Sequence, residues 1–229
     1  MFFDKKISLD PRLSKIAEML GTCSVCADIG SDHGRLGAFL LQNGQCSKVY
    51  LTDISAPSLD KARKLCALIG FKDEVQFRVG DGALALDAKA DKVVIAGMGG
   101  ETIADIIENS DGRLEGAVLL LQPNVAAPQL RRRLNKAGWK IVDEALAKDG
   151  RRIYPIIKAV QGVQVLSEEE IEAGPVILKN KPEELREYAA FRIRVAKKAL
   201  SGAENGAAEE NIRELKREIS VWEDIEKCL

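Results

Sequence analysis

Val25-Cys26-Ala27-Asp28-Ile29-Gly30-Ser31-Asp32-His33-Gly34 is the stretch that decides the fold. A short apolar run ends in an acid, passes through a tight turn and enters Leu36-Gly37-Ala38-Phe39-Leu40-Leu41, whose pattern is helical. Glycines in the turn let backbone amides approach a ligand closely, and the helix behind them offers its positive end. Asp28 stands at the carboxyl end of the strand, where open α/β sheets place their ligands.

The same strand–turn–helix rhythm repeats outward from this unit. Before it, Asp10 can cap a helix over 11–20, with Pro11 in the first turn and Leu13, Ile16, Ala17 and Leu20 on one face. After it, strands are expected over 48–54, 74–79, 92–96 and 117–121, with helices over 56–69, 101–108 and 128–137 between and after them. The rhythm then changes. Segments 139–147 and 153–160 read as two strands joined by Lys148-Asp149-Gly150-Arg151-Arg152, a hairpin-type turn. Alternating units followed by a hairpin indicate a doubly wound α/β sheet with one late antiparallel strand.

Beyond about residue 164 no strand alternation remains. Ser167-Glu168-Glu169-Glu170 is a capping-box pattern. Leu185, Tyr188, Phe191 (or Arg192), Val195 and Ala199 repeat at helical spacing, as do Ile212, Leu215, Ile219, Trp222 and Ile225. The loop Gly202-Ala203-Glu204-Asn205-Gly206 separates them. Two narrow apolar stripes joined this way predict an antiparallel, coiled-coil-like helical pair. The expected division is a sheet domain over 1–164 and a helical tail over 165–229.

Bulk properties narrow the function. The net charge of −1 gives no global electrostatic case for nucleic acid. Its distribution is uneven: residues 1–164 carry 23 basic and 20 acidic side chains, residues 165–229 carry 11 and 15. No apolar run approaches the length of a membrane span, and Met1-Phe2-Phe3-Asp4-Lys5-Lys6 lacks a signal-peptide core. Five cysteines, an odd number, suit a reduced cytoplasmic chain. Cys23 and Cys26 have C-x-x-C spacing, but no second pair matches them for zinc. They are expected to be buried and inert, and no metal is expected.

The glycine turn favours one ligand class. Asp28-x-Gly30-x-x-x-Gly34 departs from the dinucleotide fingerprint, which needs three spaced glycines and bare amides for a pyrophosphate. Ser31, Asp32 and His33 fill the turn instead, and an acid at 32 would repel pyrophosphate. These side chains suit a zwitterionic amino-acid tail, with Asp28 accepting from its ammonium. Asp53, ending the second strand beside Ile54, can bind both ribose hydroxyls. Asp81 can accept from an adenine amino group, with the Gly82 amide nearby. Each acid alone is more simply a helix cap. Together with the turn they indicate an S-adenosylmethionine (SAM) site.

Ala96-Gly97-Met98-Gly99-Gly100 lies where the methyl would face its acceptor. Asp28, Gly97 and Met98 are the candidates for positioning the reacting groups. Arg12, Gly99, Gly100, Pro123 and Asn124 are candidates for holding the acceptor, with Gln122 at the same strand end. Arg12 is read equally well as a solvated helix residue.

The motifs Asp28-Ile29-Gly30-Ser31-Asp32-His33-Gly34, Ile95-Ala96-Gly97-Met98-Gly99-Gly100 and Leu121-Gln122-Pro123-Asn124 resemble those of the bacterial tRNA adenine N1-methyltransferases of the TrmK family. The resemblance spans nearly the whole chain. It implies a Rossmann-like class I methyltransferase fold, SAM as cofactor, and methylation of N1 of adenosine 22 in tRNA. Candidate phosphate contacts are then Arg131, Arg132 and Arg133 with Lys136, Arg151 and Arg152 in the hairpin turn, and Arg192, Arg194, Lys197 and Lys198 on the tail. A monomer is expected. Three other readings stay open at this level: a methyltransferase with another RNA, protein or small-molecule acceptor, a non-catalytic SAM-binding interaction protein, and a dinucleotide oxidoreductase.

Overall fold

The computed structural model describes residues 6–203 and 208–229. Most of the start of the chain, residues 1–5, and most of the loop expected over 202–206 lie outside the described residues.

The elements follow in the expected order: α1 (Pro11–Leu20), β1 (Cys23–Ile29), α2 (Arg35–Gln42), β2 (Cys46–Asp53), α3 (Ala56–Leu68), β3 (Val75–Val79), β4 (Lys92–Gly99), α4 (Gly100–Glu108), β5 (Val118–Val125), α5 (Ala127–Lys136), β6 (Trp139–Asp149) and β7 (Arg152–Gln161). Local chemistry sets several ends. Asp10 accepts from the Leu13 amide at 2.7 Å and Ser55 caps α3 by accepting from the Ser58 amide, each with a proline in the first turn behind it.

The seven strands form one sheet in the order β3-β2-β1-β4-β5-β7-β6. β1 to β5 pair in parallel, and β7 is antiparallel to both β5 and β6. The late reversed strand therefore lies inside the sheet, not at its edge. The inner parallel strands β1, β2, β4 and β5 are largely buried on both faces, which is why they read as near-continuous apolar runs, whereas the edge strand β3 alternates and is half-exposed. Alternate residues serve opposite layers: Ala27, Ile29, Val93, Ile95 and Leu121 pack with α4 and α5, whereas Cys26, Leu51, Val94 and Leu120 pack with α1, α2 and α3. The strand order reverses at β1, between β2 and β4, and opens a crevice at the carboxyl ends.

β4 and β5 run about three to four residues further than their apolar cores indicate. They keep pairing to Gly99 and Val125 through register shifts on either side of Met98.

Four helices follow among the described residues: α6 (Glu168–Ala173), α7 (Pro175–Asn180), α8 (Leu185–Ala203) and α9 (Glu209–Lys227). The capping box forms as expected, with Ser167 and Glu170 satisfying each other's amides. The α8 stripe differs from the expected one. Phe191 and Val195 are 41% and 46% exposed, while Leu185, Tyr188, Ala189, Ile193 and Ala196 are buried. Arg192 takes the place at the seam, bonded to Glu218 at 2.6 Å and lying over the ring of Trp222. Trp222 in turn meets Tyr188 edge-to-face at 5.4 Å. Leu146 of β6 joins this cluster, so the helical segment packs directly on the sheet edge.

Candidate active site

The carboxyl ends of the parallel strands enclose a cleft in two lobes that share Gly30, Ala96 and Gly97. The larger lobe, about 540 Å³, is lined by Asp53, Ile54, Asp81, Gly82, Met98 and Thr102 among others. The smaller, about 270 Å³, holds Arg12, Asp28, Ser31, Asp32, His33 and Arg35. The candidates from three separate turns are thus brought to one place.

The turn after β1 is built by its backbone. Gly30 and Ser31 both donate to the Thr52 carbonyl, at 2.8 and 3.0 Å, which folds the turn across the end of β2. Gly30 sits at φ +72, and a Cβ there would lie 2.0 Å from Met98 Cε. Gly34 has φ +66, and its missing side chain makes room for Leu51 and Ala62, so it seats α2 rather than lining the cleft.

Asp53 orients the turn as well as facing the large lobe. Its Oδ2 accepts from the Asp32 amide at 3.0 Å and its Oδ1 from the Ser55 amide at 2.8 Å. Each oxygen keeps a further lone pair for a ligand. Asp28 is 6% exposed. Burial pushes its carboxyl up to about 7, Asp53 adds to the rise and Arg12 opposes it. A cation brought into the small lobe would reverse that cost. His33 lies at the mouth, its Nε2 3.1 Å from Lys61 Nζ and 3.5 Å from Asp32.

On the opposite wall a network ties α1 to β5. Arg12 donates to Gln122 Oε1 at 2.6 Å, and the Gly97 amide donates to the same oxygen at 3.1 Å. Gln122 then donates to Asn124, whose Nδ2 donates to the Gly97 carbonyl at 2.7 Å. Gly97 is thereby held from both its amide and its carbonyl at the junction of the lobes.

The hydroxyls of Ser31 and Thr52 are buried at the cleft wall without a partner among the described residues. Unpaired buried hydroxyls are costly and call for a polar ligand. Together with an acid in each lobe and the backbone-lined passage over Gly30, they fit SAM: a zwitterion in the small lobe and a nucleoside in the large one.

Residues 9–157 match the family model described as a methyltransferase domain. The tRNA (adenine(22)-N(1))-methyltransferase of Bacillus subtilis is 32% identical over 159 residues, 69% of this chain and 67% of that protein. The chain belongs to the TrmK methyltransferase family. A protein of the NADB-Rossmann superfamily from Streptococcus agalactiae superposes with a TM-score of 0.90 at 28% identity, covering 98% of this chain and 100% of that one. Sp1610 from Streptococcus pneumoniae, solved in complex with S-adenosyl-L-methionine, gives 0.86 at 26% identity, covering 96% and 100%. Both likenesses run through the helical segment as well as the sheet.

This TrmK member departs from several sequence expectations. Arg131 is no surface cation. It is fully buried, donates to Glu144 at 2.8 Å, and donates to the carbonyls of Ile171 and Glu172 at 3.0 Å. Its apolar neighbours on α5 face the core, and the arginine follows them in because α6 presents three unpaired carbonyls there. Arg132 is bonded to Glu168, and Arg133 to Glu108 and Asp105. Arg192 and Lys197 are likewise engaged, with Glu218 and Glu223. Gly100 is a packing residue: a Cβ would lie 2.2 Å from the Ala126 carbonyl oxygen. Gly99 precedes α4 as its cap, and Pro123 is buried in β5, so neither offers a side chain to the opening.

Arg151 and Arg152 remain exposed. Because β7 runs antiparallel to β5, with Leu121 opposite Ile157, their turn projects on the cleft side of the sheet. Tyr154, two residues further, lies 5.9 Å from the Arg12 guanidinium. Thr52, Thr102, Asp105, Asn109 and Tyr154 were not among the sequence candidates. Thr52 was hidden by its place in an apolar run. The others lie on helix or strand faces whose orientation only the fold supplies.

Proposed function

We propose that this TrmK member transfers the methyl group of SAM to N1 of adenosine 22 in tRNA. The observation that carries the reading is the alignment of Asp28, Asp53 and Asp81 along one two-lobed cleft, at the ends of adjacent strands, with Gly97 at the junction of the lobes. SAM supplies an electrophilic methyl on a positively charged sulfur. Asp28 holds the ammonium of its amino-acid part, with Ser31, Asp32 and His33 closing the turn around it. Asp53 takes the ribose hydroxyls, Asp81 and Gly82 take the adenine edge, and Ile54 covers its face.

The acceptor enters on the wall formed by Gly97, Met98 and Asn124. Adenine N1 carries its own lone pair, so the protein's task is placement more than activation. Asn124 and Gln122 fix the Gly97 peptide that borders the reacting atoms, and the Gly97 carbonyl faces the positive charge that develops on the methylated base. N1 is a pairing atom, so adenosine 22 must be presented unpaired or flipped out. Arg12, Arg151 and Arg152 steer the RNA backbone to this wall, and exposed Arg194 and Lys198 extend the track along a tRNA-contacting domain of residues 165–229. The protein works as a cytoplasmic monomer.

Methyl transfer from labelled SAM to unmodified tRNA, followed by nucleoside analysis, tests this. N1-methyladenosine appears in the wild-type transcript and is lost when adenosine 22 is replaced. Transfer to another position, or none to competent tRNA in the presence of bound cofactor, overturns the reading.

A further inference from the structure

Cys23 opens β1 and Cys46 opens β2, at the end of the sheet away from the cleft. They are register partners in the parallel pair, and their sulfurs lie 3.2 Å apart. Neighbouring strands run roughly 4.8 Å apart, inside the Cα separation of about 4.4–6.8 Å that a disulfide spans. Closing the bond needs the sulfurs to approach by roughly 1.2 Å, within the reach of small side-chain rotations. The C-x-x-C spacing reads as two buried, inert thiols, whereas Cys23 is only half-buried. The fold sets Cys46 opposite Cys23, as its register partner with the sulfurs in contact.

The two thiols differ in a useful way. Cys23 is half-buried and Cys46 is buried. Contacts with the Cys26 and Cys46 thiols, aided by the Lys92 ammonium, hold the Cys23 thiol below its ordinary range. The same contact with Cys23, and burial, push Cys46 up. Cys23 is thus the accessible nucleophile, and Cys46 the partner waiting beside it.

We propose that Cys23 and Cys46 form a redox-reversible pair that small disulfide oxidants of the glutathione class convert into a cross-strand disulfide. The Cys23 thiolate attacks one sulfur of oxidised glutathione, forming a mixed disulfide and releasing one glutathione thiolate. Cys46 gives its proton to solvent base and attacks the Cys23 sulfur, releasing the second glutathione thiolate. Two electrons pass from the protein thiols to the oxidant, and the two protons end on the released glutathiones through solvent. The closed loop contains the whole glycine turn that lines the cofactor cleft, so the bond staples the segment carrying Asp28 to the strand carrying Asp53.

The full-length reduced protein is incubated with oxidised glutathione, then analysed by intact mass and by peptide mapping after alkylation. The wild type loses two hydrogens, a Cys23–Cys46 cross-linked peptide appears, Cys66 and Cys228 stay alkylated, and dithiothreitol restores the thiols. Cys46→Ser stops at a glutathione adduct on Cys23, and Cys23→Ser gives neither product. The oxidised wild type unfolds at a higher temperature than the reduced form. Absence of the cross-link in the wild type, a cross-link through Cys26 or Cys228, or an adduct on Cys23 that never resolves overturns the proposal.

Discussion

Asp28 should make cofactor affinity depend on pH. Its carboxyl is lifted from the ordinary 3.8 to about 7, first by burial and then by Asp53. A raised carboxylate pKa means that the folded state favours the neutral acid. The associated stability is complete below the unfolded value and is lost as pH rises through about 7. That rise in the carboxyl value corresponds to ~4 kcal/mol, the approximate cost of keeping this group ionised in the free protein. An ammonium in the small lobe reverses that preference, so binding selects the ionised form and expels a proton at lower pH. The α-ammonium of the ligand itself titrates only near about 7.7–8.0, so below that range the carboxyl alone responds. With the free-protein value at about 7, the ionised fraction rises about eightfold between about pH 5.5 and pH 6.5. Calorimetric SAM titrations should show the dissociation constant falling by about that factor over this interval, with proton release near the lower end. Asp28→Asn should bind more weakly and with a flat pH profile, while gaining stability above pH 7. A flat profile in the wild type, or an unchanged slope in Asp28→Asn, refutes the assignment of the ammonium to Asp28.

Asp53→Ala removes the acceptor for two turn amides and for the ribose. The SAM dissociation constant should rise about ten- to hundredfold with the fold retained by circular dichroism, and unchanged affinity would displace the ribose role. Arg131→Met leaves Glu144 buried without its cation and three α6 carbonyls without donors. Urea unfolding should show a loss of about 3–5 kcal/mol, and a loss below ~1 kcal/mol would mean that the pair is not structural. Arg151→Ala with Arg152→Ala should weaken tRNA binding and lower the salt slope by roughly 1.5, with SAM affinity unchanged. An unaltered slope would place the RNA elsewhere. Removing residues 165–229 is the less informative perturbation, because it strips the α6 carbonyls from Arg131, the Val176 amide from Glu144 and the helical packing from Leu146 together.

The sheet was legible because its inner strands are buried on both sides and α1 and α3 carry their own caps. Asp10 and Ser167 each hold the amide that their spacing promises. The cleft was legible because its acids terminate apolar runs. What stayed hidden depends on tertiary contact. Nothing local distinguishes Arg131 from Arg132, yet one is buried and the other faces solvent beside Glu168. Phe191 and Val195 fit helical spacing as well as Ala189 and Ile193 do; the side that α9 approaches decides between them. Gly100 looked like a cleft residue because a glycine run suggests open space, whereas the Ala126 carbonyl fills that space. The contact of Cys23 with Cys46 joins adjacent strands, so the expectation of inert cysteines from local spacing had no means of finding it.

The position of β7 has a consequence for the chain during its synthesis. Every residue of the cofactor cleft has been made once β5 is complete, but β5 then presents an open, apolar edge. That edge stays bare until residues 152–161 leave the ribosome and insert beside it. Lys158 also reaches back to the Met19 carbonyl at 2.9 Å, and the Arg131 side chain has no acceptors on α6 until residues 171–173 arrive. The nascent protein therefore holds a finished binding crevice on an unfinished sheet. Its hazard during production is edge-to-edge association of incomplete chains, and insertion of β7 ends that exposure.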